Sequence, residues 1–187
     1  MLVMHRRCMQ SAQIQIKLLS HIQRQFTTST SSFCKENVKV LVVGGGAGGA
    51  ATAHNFSRLL GEGQVTVIEP SQTHYYQALW TLVGGGLKPL AKSAKPMKDV
   101  LPKNATWIQD AVTNFFPEEN KVTTKQGREI GYDYMVVAMG LVNRYELVDG
   151  LEEALNSLYS GVCSNYSHLY VEKTFQELNK FKVNYYY

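Results

Sequence analysis

Apolar residues along this chain gather into short runs closed by glycine. The first firm run is Val38-Lys39-Val40-Leu41-Val42-Val43. It is short, rich in β-branched residues and bounded by glycine, which predicts a strand buried on both faces, as in a parallel sheet. Gly44 to Gly49 reads as a turn. Ala50 to Leu60 then places small or apolar side chains at Ala50, Ala51, Ala53, Phe56, Leu59 and Leu60, a helical spacing that Gly61 and Gly63 stop. Val65-Thr66-Val67-Ile68-Glu69 predicts a second strand. The whole is a βαβ unit, whose crossover is right-handed by default and whose two strands lie side by side.

The pattern is less regular from Pro70 to Pro102, where a loop, a short helix and a second loop are expected. Trp107 to Val112 reads as a strand. Val122 to Tyr132 reads as a hairpin turning near Gln126-Gly127, and Tyr134 to Met139 as a further buried strand ending at Gly140. Val171 to Phe181 is amphipathic. Together these predict an α/β fold with an inserted β-meander. The expected organisation is a leader over 1–35, a nucleotide-binding domain over 36–155, and the beginning of a further region over 156–187.

Charge changes the picture at the front of the chain. The 187 residues carry a formal net charge of +4, but residues 1–35 hold five of the 19 Lys/Arg and none of the 15 Asp/Glu. The rest is slightly acidic, which does not suggest a nucleic-acid surface on the folded part. The leader is acid-free and bears Arg6, Arg7, Lys17 and Arg24. It spaces Ile14, Ile16, Leu18, Leu19, Ile22 and Phe26 along a basic stretch, and it ends in Ser/Thr from Thr27 to Ser32. Gln13, Gln15, Lys17, Ser20 and Gln23 break any secretory core, so the expectation is a mitochondrial targeting presequence, cleaved between about Phe26 and Lys35. Cys8, Cys34 and Cys163 are too few and too scattered for a disulfide framework or a zinc site, so no metal is expected.

The chemistry concentrates in Gly44-Gly45-Gly46-Ala47-Gly48-Gly49. Gly44, Gly46 and Gly49 form G-x-G-x-x-G between a strand and a helix, which is the context that a dinucleotide site requires. Gly44 permits the tight turn, Gly46 lets backbone approach a pyrophosphate, and Gly49 lets helix and strand pack closely. The first N–H groups of the helix and its dipole, about half a positive charge, then face the phosphates. Glu69, at the end of the second strand, is placed to accept hydrogen bonds from ribose hydroxyls and to repel a 2′-phosphate. These residues leave both FAD and NAD open. The strand, meander, strand order after Trp107 favours FAD, because it is the layout of flavoproteins with two dinucleotide-binding domains.

From Val38 to Gly150 the sequence resembles the N-terminal part of the sulfide:quinone oxidoreductase family, most of all its mitochondrial form. The segments that carry the likeness are Val42 to Gly49, Ile68-Glu69-Pro70-Ser71, His74-Tyr75-Tyr76-Gln77-Ala78-Leu79-Trp80-Thr81-Leu82-Val83-Gly84, and Tyr132 to Gly140. The resemblance implies a Rossmann-like FAD-binding domain. It implies FAD-dependent oxidation of hydrogen sulfide with electron transfer to a membrane quinone, and peripheral attachment to the mitochondrial inner membrane. It implies that Ala47 and Gly48 meet the FAD pyrophosphate, that Glu69 holds the ribose, that Gln77 contacts the flavin nucleotide, and that Val112, ending its strand, reads the adenine edge with its backbone. Tyr76 and Trp80 would lie beneath the cofactor or in the core. Ala78 stands where the family has proline. The family's redox cysteine pair falls in segments that this sequence does not contain. The chain therefore reads as an incomplete copy, inactive alone and without a catalytic residue of its own, and Cys163 as an incidental thiol. A related flavoprotein such as a type II NADH dehydrogenase, or a non-catalytic FAD-binding fragment, is the alternative.

Overall fold

A computed structural model describes residues 36–181. The expected presequence and the last six residues lie outside them. The framework is one six-stranded sheet. Its strands are β1 (Glu36–Val43), β2 (Val65–Ile68), β5 (Thr106–Ile108), β6 (Val112–Phe116), β7 (Lys121–Thr124) and β8 (Glu129–Val137), in the spatial order β5-β2-β1-β8-β7-β6. β1, β2, β5 and β8 are mutually parallel, while β6 and β7 continue the sheet as an antiparallel meander. Helix α1 (Ala47–Leu60) makes the crossover from β1 to β2. The fold is the α/β, Rossmann-like class that the βαβ pattern predicts.

The central strand explains its own sequence. Val40 and Val42 turn to one face, with Val65 and Val67 of β2, and pack against Ala50 and Ala53 of α1. Leu41 and Val43 turn to the other face, with Ile68, Ile108, Val122, Ile130 and Tyr132. A strand with period-two side chains and a core on each side must be apolar at every position. Lys39 stands nearer the rim and pairs with Asp133 at 3.0 Å.

Several expected boundaries move. α1 begins at Ala47, not Ala50, because the glycines that read as a turn already form its first turn. The expected strand from Trp107 to Val112 stops at Ile108, and Val112 opens β6, where it faces Thr124 across the ladder. Val112 therefore does not end its strand. The break is made by Asp110, a buried acid whose Oδ1 accepts the Ala111 N–H at 2.7 Å and whose Oδ2 accepts the Gln126 N–H at 3.2 Å. The hairpin turn falls near Gln126-Gly127 as expected, with Gly127 at φ 82°. The strand expected over Tyr134 to Met139 is no separate element. β8 runs unbroken for nine residues, pairing with β7 at Glu129 to Gly131 and with β1 from Ile130 to Val137. Nor is its far end buried: Val137 is 52% and Met139 57% exposed.

The stretch expected as loops and one helix holds more structure. β3 (Thr73–Tyr75) and β4 (Ala94–Pro96) form a small antiparallel sheet. The short helices α2 (Trp80–Gly84) and α3 (Met97–Val100) flank it. Three-residue strands carry too little periodicity to be read in advance. After β8 come α4 (Leu151–Asn156) and α5 (Val171–Lys180). Val171 is fully buried against Trp80 and Val83, so α5 packs on α2.

Candidate cofactor-binding site

Chain order reverses at β1. From it the chain moves to β2 and β5 on one side, and returns as β8 on the other. Ligands of open α/β sheets bind in the crevice beyond the strand ends at such a point. The glycine turn closes that crevice. The Gly44 N–H donates to Ile68 O at 2.8 Å, and the Ala138 N–H donates to Val43 O at 2.8 Å, so the turn is tied to the strands on both sides.

The glycines fall into two groups. Gly44 has φ +102°, and a Cβ there would stand 2.5 Å from Ala138 O. A Cβ on Gly49 would overlap Gly44 O, and one on Gly45 would lie 2.8 Å from Glu69 Cγ. These three are glycine because neighbouring atoms fill the space. Gly46 and Gly48 are exposed, and a Cβ on either would meet nothing within 4 Å. Space is open outside exactly those residues that begin α1.

The start of α1 has the character of an anion site. Gly46 is the N-cap, no side chain caps the helix, and its first turn contains no acid. Its first i→i−4 bond is Ala50 N–H to Gly46 O at 2.8 Å. The N–H groups of Ala47, Gly48 and Gly49 precede that bond and have no acceptor within the helix ladder. With the positive end of the helix dipole they form a cradle for phosphate.

Glu69 stands at the rim of the same turn. Its Oε2 accepts the Gly45 N–H at 2.7 Å and its Oε1 accepts the Ser71 N–H at 2.7 Å. The indole Nε1–H of Trp107 donates to Glu69 O at 2.9 Å. The carboxylate is thus fixed by backbone on two sides, and each oxygen keeps a lone pair for a ribose hydroxyl. Gln77 is exposed at the start of a single 3-10 turn, Gln77–Leu79. His74 links its segment to the glycine turn, with Nδ1 3.3 Å from Gly45 O. Trp80 belongs to the core at 6% exposure, while Tyr76 is 52% exposed. Val112 is half-buried at the start of β6, beyond the turn that Asp110 organises. Cys163 is exposed and free, and no cluster of His, Cys, Asp and Glu among the described residues could hold a metal.

Asp110 is the site-supporting residue that periodicity gives no sign of. A hydrogen bond from the Thr124 hydroxyl, then the N–H groups of Ala111 and Gln126 and the Arg128 charge, hold its carboxyl below the ordinary 3.8, although burial opposes them. The folded protein therefore favours the ionised form. The resulting stability is present above the unfolded value and is lost as pH falls through the lower folded value. Asp110→Asn is expected to lower the urea midpoint at neutral pH. The gap from the parent should close as pH drops below 3.8. Parallel midpoint-against-pH curves would show that Asp110 does not carry this dependence.

The fold and the glycine cradle define a class. The chain belongs to the pyridine nucleotide-disulphide oxidoreductase family, whose domain matches residues 38–174. It is 48% identical over 149 residues to the mitochondrial sulfide:quinone oxidoreductase of Dictyostelium discoideum, covering 79% of this chain and 32% of that one. It is 42% identical over 158 residues to the mitochondrial sulfide:quinone oxidoreductase of Mus musculus, covering 84% and 35%. Among solved structures, the sulfide:quinone oxidoreductase of Aquifex aeolicus superposes with a TM-score of 0.60 at 28% identity, over 78% of this chain and 32% of that one. The chain spans about a third of the length of the curated relatives it matches. The domain is of the FAD-binding type of two-dinucleotide-binding-domain flavoproteins, and FAD is its cofactor. The open, uncapped start of α1 fits that group, since it offers N–H donors to a pyrophosphate and no side chain that would collide with it.

Proposed function

We propose that this chain supplies the FAD-binding part of a mitochondrial sulfide:quinone oxidoreductase. The observation that carries the reading is the cradle at the strand reversal, in a chain 48% identical to such an enzyme. In this reading the N–H groups of Ala47, Gly48 and Gly49 hold the pyrophosphate, and Glu69 orients the adenosine ribose from its backbone-fixed position. Gln77 contacts the flavin nucleotide, and the backbone of Val112 reads the adenine edge. When bound there, FAD would supply the two-electron redox chemistry between the sulfide-derived substrate and quinone. Gly44, Gly45 and Gly49 act earlier in the chain of causes: they let the turn close tightly enough to aim the N–H groups outward. The names of the curated relatives support a mitochondrial location, and the proposal includes peripheral attachment to the inner membrane, where the quinone resides.

A chimera tests this. Residues 36–181 replace the matching segment of the Mus musculus relative, and sulfide-dependent reduction of a soluble quinone is measured beside NADH as donor. The expected result is FAD retention with sulfide as the preferred donor, both lost with Gly46→Val. A chimera that retains FAD but is reduced by NADH and not by sulfide would overturn the reading in favour of an NADH dehydrogenase.

A further inference from the structure

Beside the glycine turn lies a second cleft of about 430 Å³, built by the β3–β4 sheet and the end of α3. Its lining is part apolar, from Leu79 and Val100, and its charged groups are Lys92, Lys95 and Asp99. The ladder fixes their places. His74 faces Lys95 across the β3–β4 pair, and the Tyr76 N–H donates to Ser93 O at 2.7 Å, which sets Lys92 and Lys95 on either side of a buried serine. The Ser93 hydroxyl is committed to Leu90 O at 2.7 Å.

The lysines are not committed. Neither ammonium group makes an ion pair or hydrogen bond among the described residues, and Asp99, the one carboxylate in the lining, bridges to neither. His74 is 8% exposed, and its Nδ1–H donates to Gly45 O, because a carbonyl can only accept. The contact ties the β3–β4 sheet to the glycine turn. Two unpaired ammonium groups against the single Asp99 carboxylate leave the cleft with a net positive charge. Its size falls within the range of about 300–1,000 Å³ usual for small-molecule sites.

We infer that this cleft binds a phosphate group through Lys92 and Lys95, beside the α1 N-terminus and distinct from it. A phosphate suits the two lysines because each presents a point charge with rotatable donors to a tetrahedral anion. The ligand is a separate phosphorylated compound that works next to the flavin, because the one pyrophosphate of FAD belongs to the α1 N-terminus. The inference does not rest on the proposed function, since the cleft stands whether or not α1 holds FAD.

The test uses the whole chain, with inorganic pyrophosphate and FAD as calorimetric probes. Gly46→Val fills the α1 cradle and leaves the cleft untouched. Pyrophosphate is expected to bind this variant saturably, and K92Q/K95Q in the same background to weaken it about tenfold or more. K92R/K95R keeps both charges and should retain binding, which separates charge from folding; both lysines are exposed, so melting temperatures should agree. If K92Q/K95Q in the parent also weakens FAD, the lysines belong to the cofactor site and the inference of a separate phosphate site is overturned. If FAD affinity is unchanged and pyrophosphate still binds the FAD-loaded chain, the phosphate belongs to a second compound. Pyrophosphate binding that disappears with Gly46→Val, that ignores K92Q/K95Q, or that is absent from the parent overturns the inference.

Discussion

Gly46→Val is expected to abolish FAD binding while leaving the fold intact. The two halves of that result have separate causes. Gly46 has φ −62° and ψ −172°, an extended conformation open to any residue, and a Cβ there meets nothing within 4 Å. The cost to the folded chain is that of a poor N-cap, about 1 kcal/mol. The same empty space is where a pyrophosphate must come to reach the N–H groups of Ala47, Gly48 and Gly49, and valine puts two methyl groups into it. Displacing the phosphates from two charge-assisted hydrogen bonds costs about 3–6 kcal/mol, or roughly two to four powers of ten in affinity. Flavin fluorescence titration gives the affinity, and a thermal melt gives the fold. Unchanged FAD affinity in a well-folded Gly46→Val chain would remove the phosphate site from α1.

How much of this could be read beforehand depended on how far each signal repeats along the chain. β1, α1 and β2 were legible because a doubly buried strand and a helix between glycines leave long, consistent patterns. The cradle was legible because G-x-G-x-x-G states backbone requirements directly in residue types. The start of α1 does not show in the sequence because glycine has poor helix propensity, yet the first turn of this helix is held by packing of Gly49 against the Gly44 carbonyl. The two-stranded sheet around His74 and Lys95 is too short to show alternation. The break at Asp110 rests on one side chain accepting two N–H groups, one of them from Gln126, sixteen residues further along the chain, a contact no local pattern announces. β8 misled for a different reason. Its first half answers to two neighbours and its second half to β1 alone, so its apolar residues do not share one burial pattern.

The inward glycines should fail in the opposite way from Gly46. Gly49→Ala drives a methyl group into the Gly44 carbonyl, and Gly44→Ala adds a Cβ 2.5 Å from Ala138 O and 2.9 Å from Met139 Cα, at a φ of +102° that an L side chain rarely adopts. Each collision is with backbone, and that backbone cannot easily retreat. Val43 O accepts from Ala138 N–H, and Gly44 N–H donates to Ile68 O, both at 2.8 Å, so moving the turn breaks the sheet at its central strand. Overpacking of this kind costs about 1–3 kcal/mol and occasionally more, and the forced φ at Gly44 adds a further ~1–3. Against a total stability of about 5–15 kcal/mol, Gly44→Ala should unfold a large fraction of the chain or shift its urea midpoint far downward. Gly49→Ala should follow closely. Gly48→Ala is the control: its Cβ points into open space, so stability should hold or rise by up to about 1 kcal/mol from helix propensity. Denaturation curves for the three variants, with hydrogen exchange at β1 and β8, decide the matter. Should Gly49→Ala melt with the parent, the close approach of α1 to the glycine turn is not what positions the cradle.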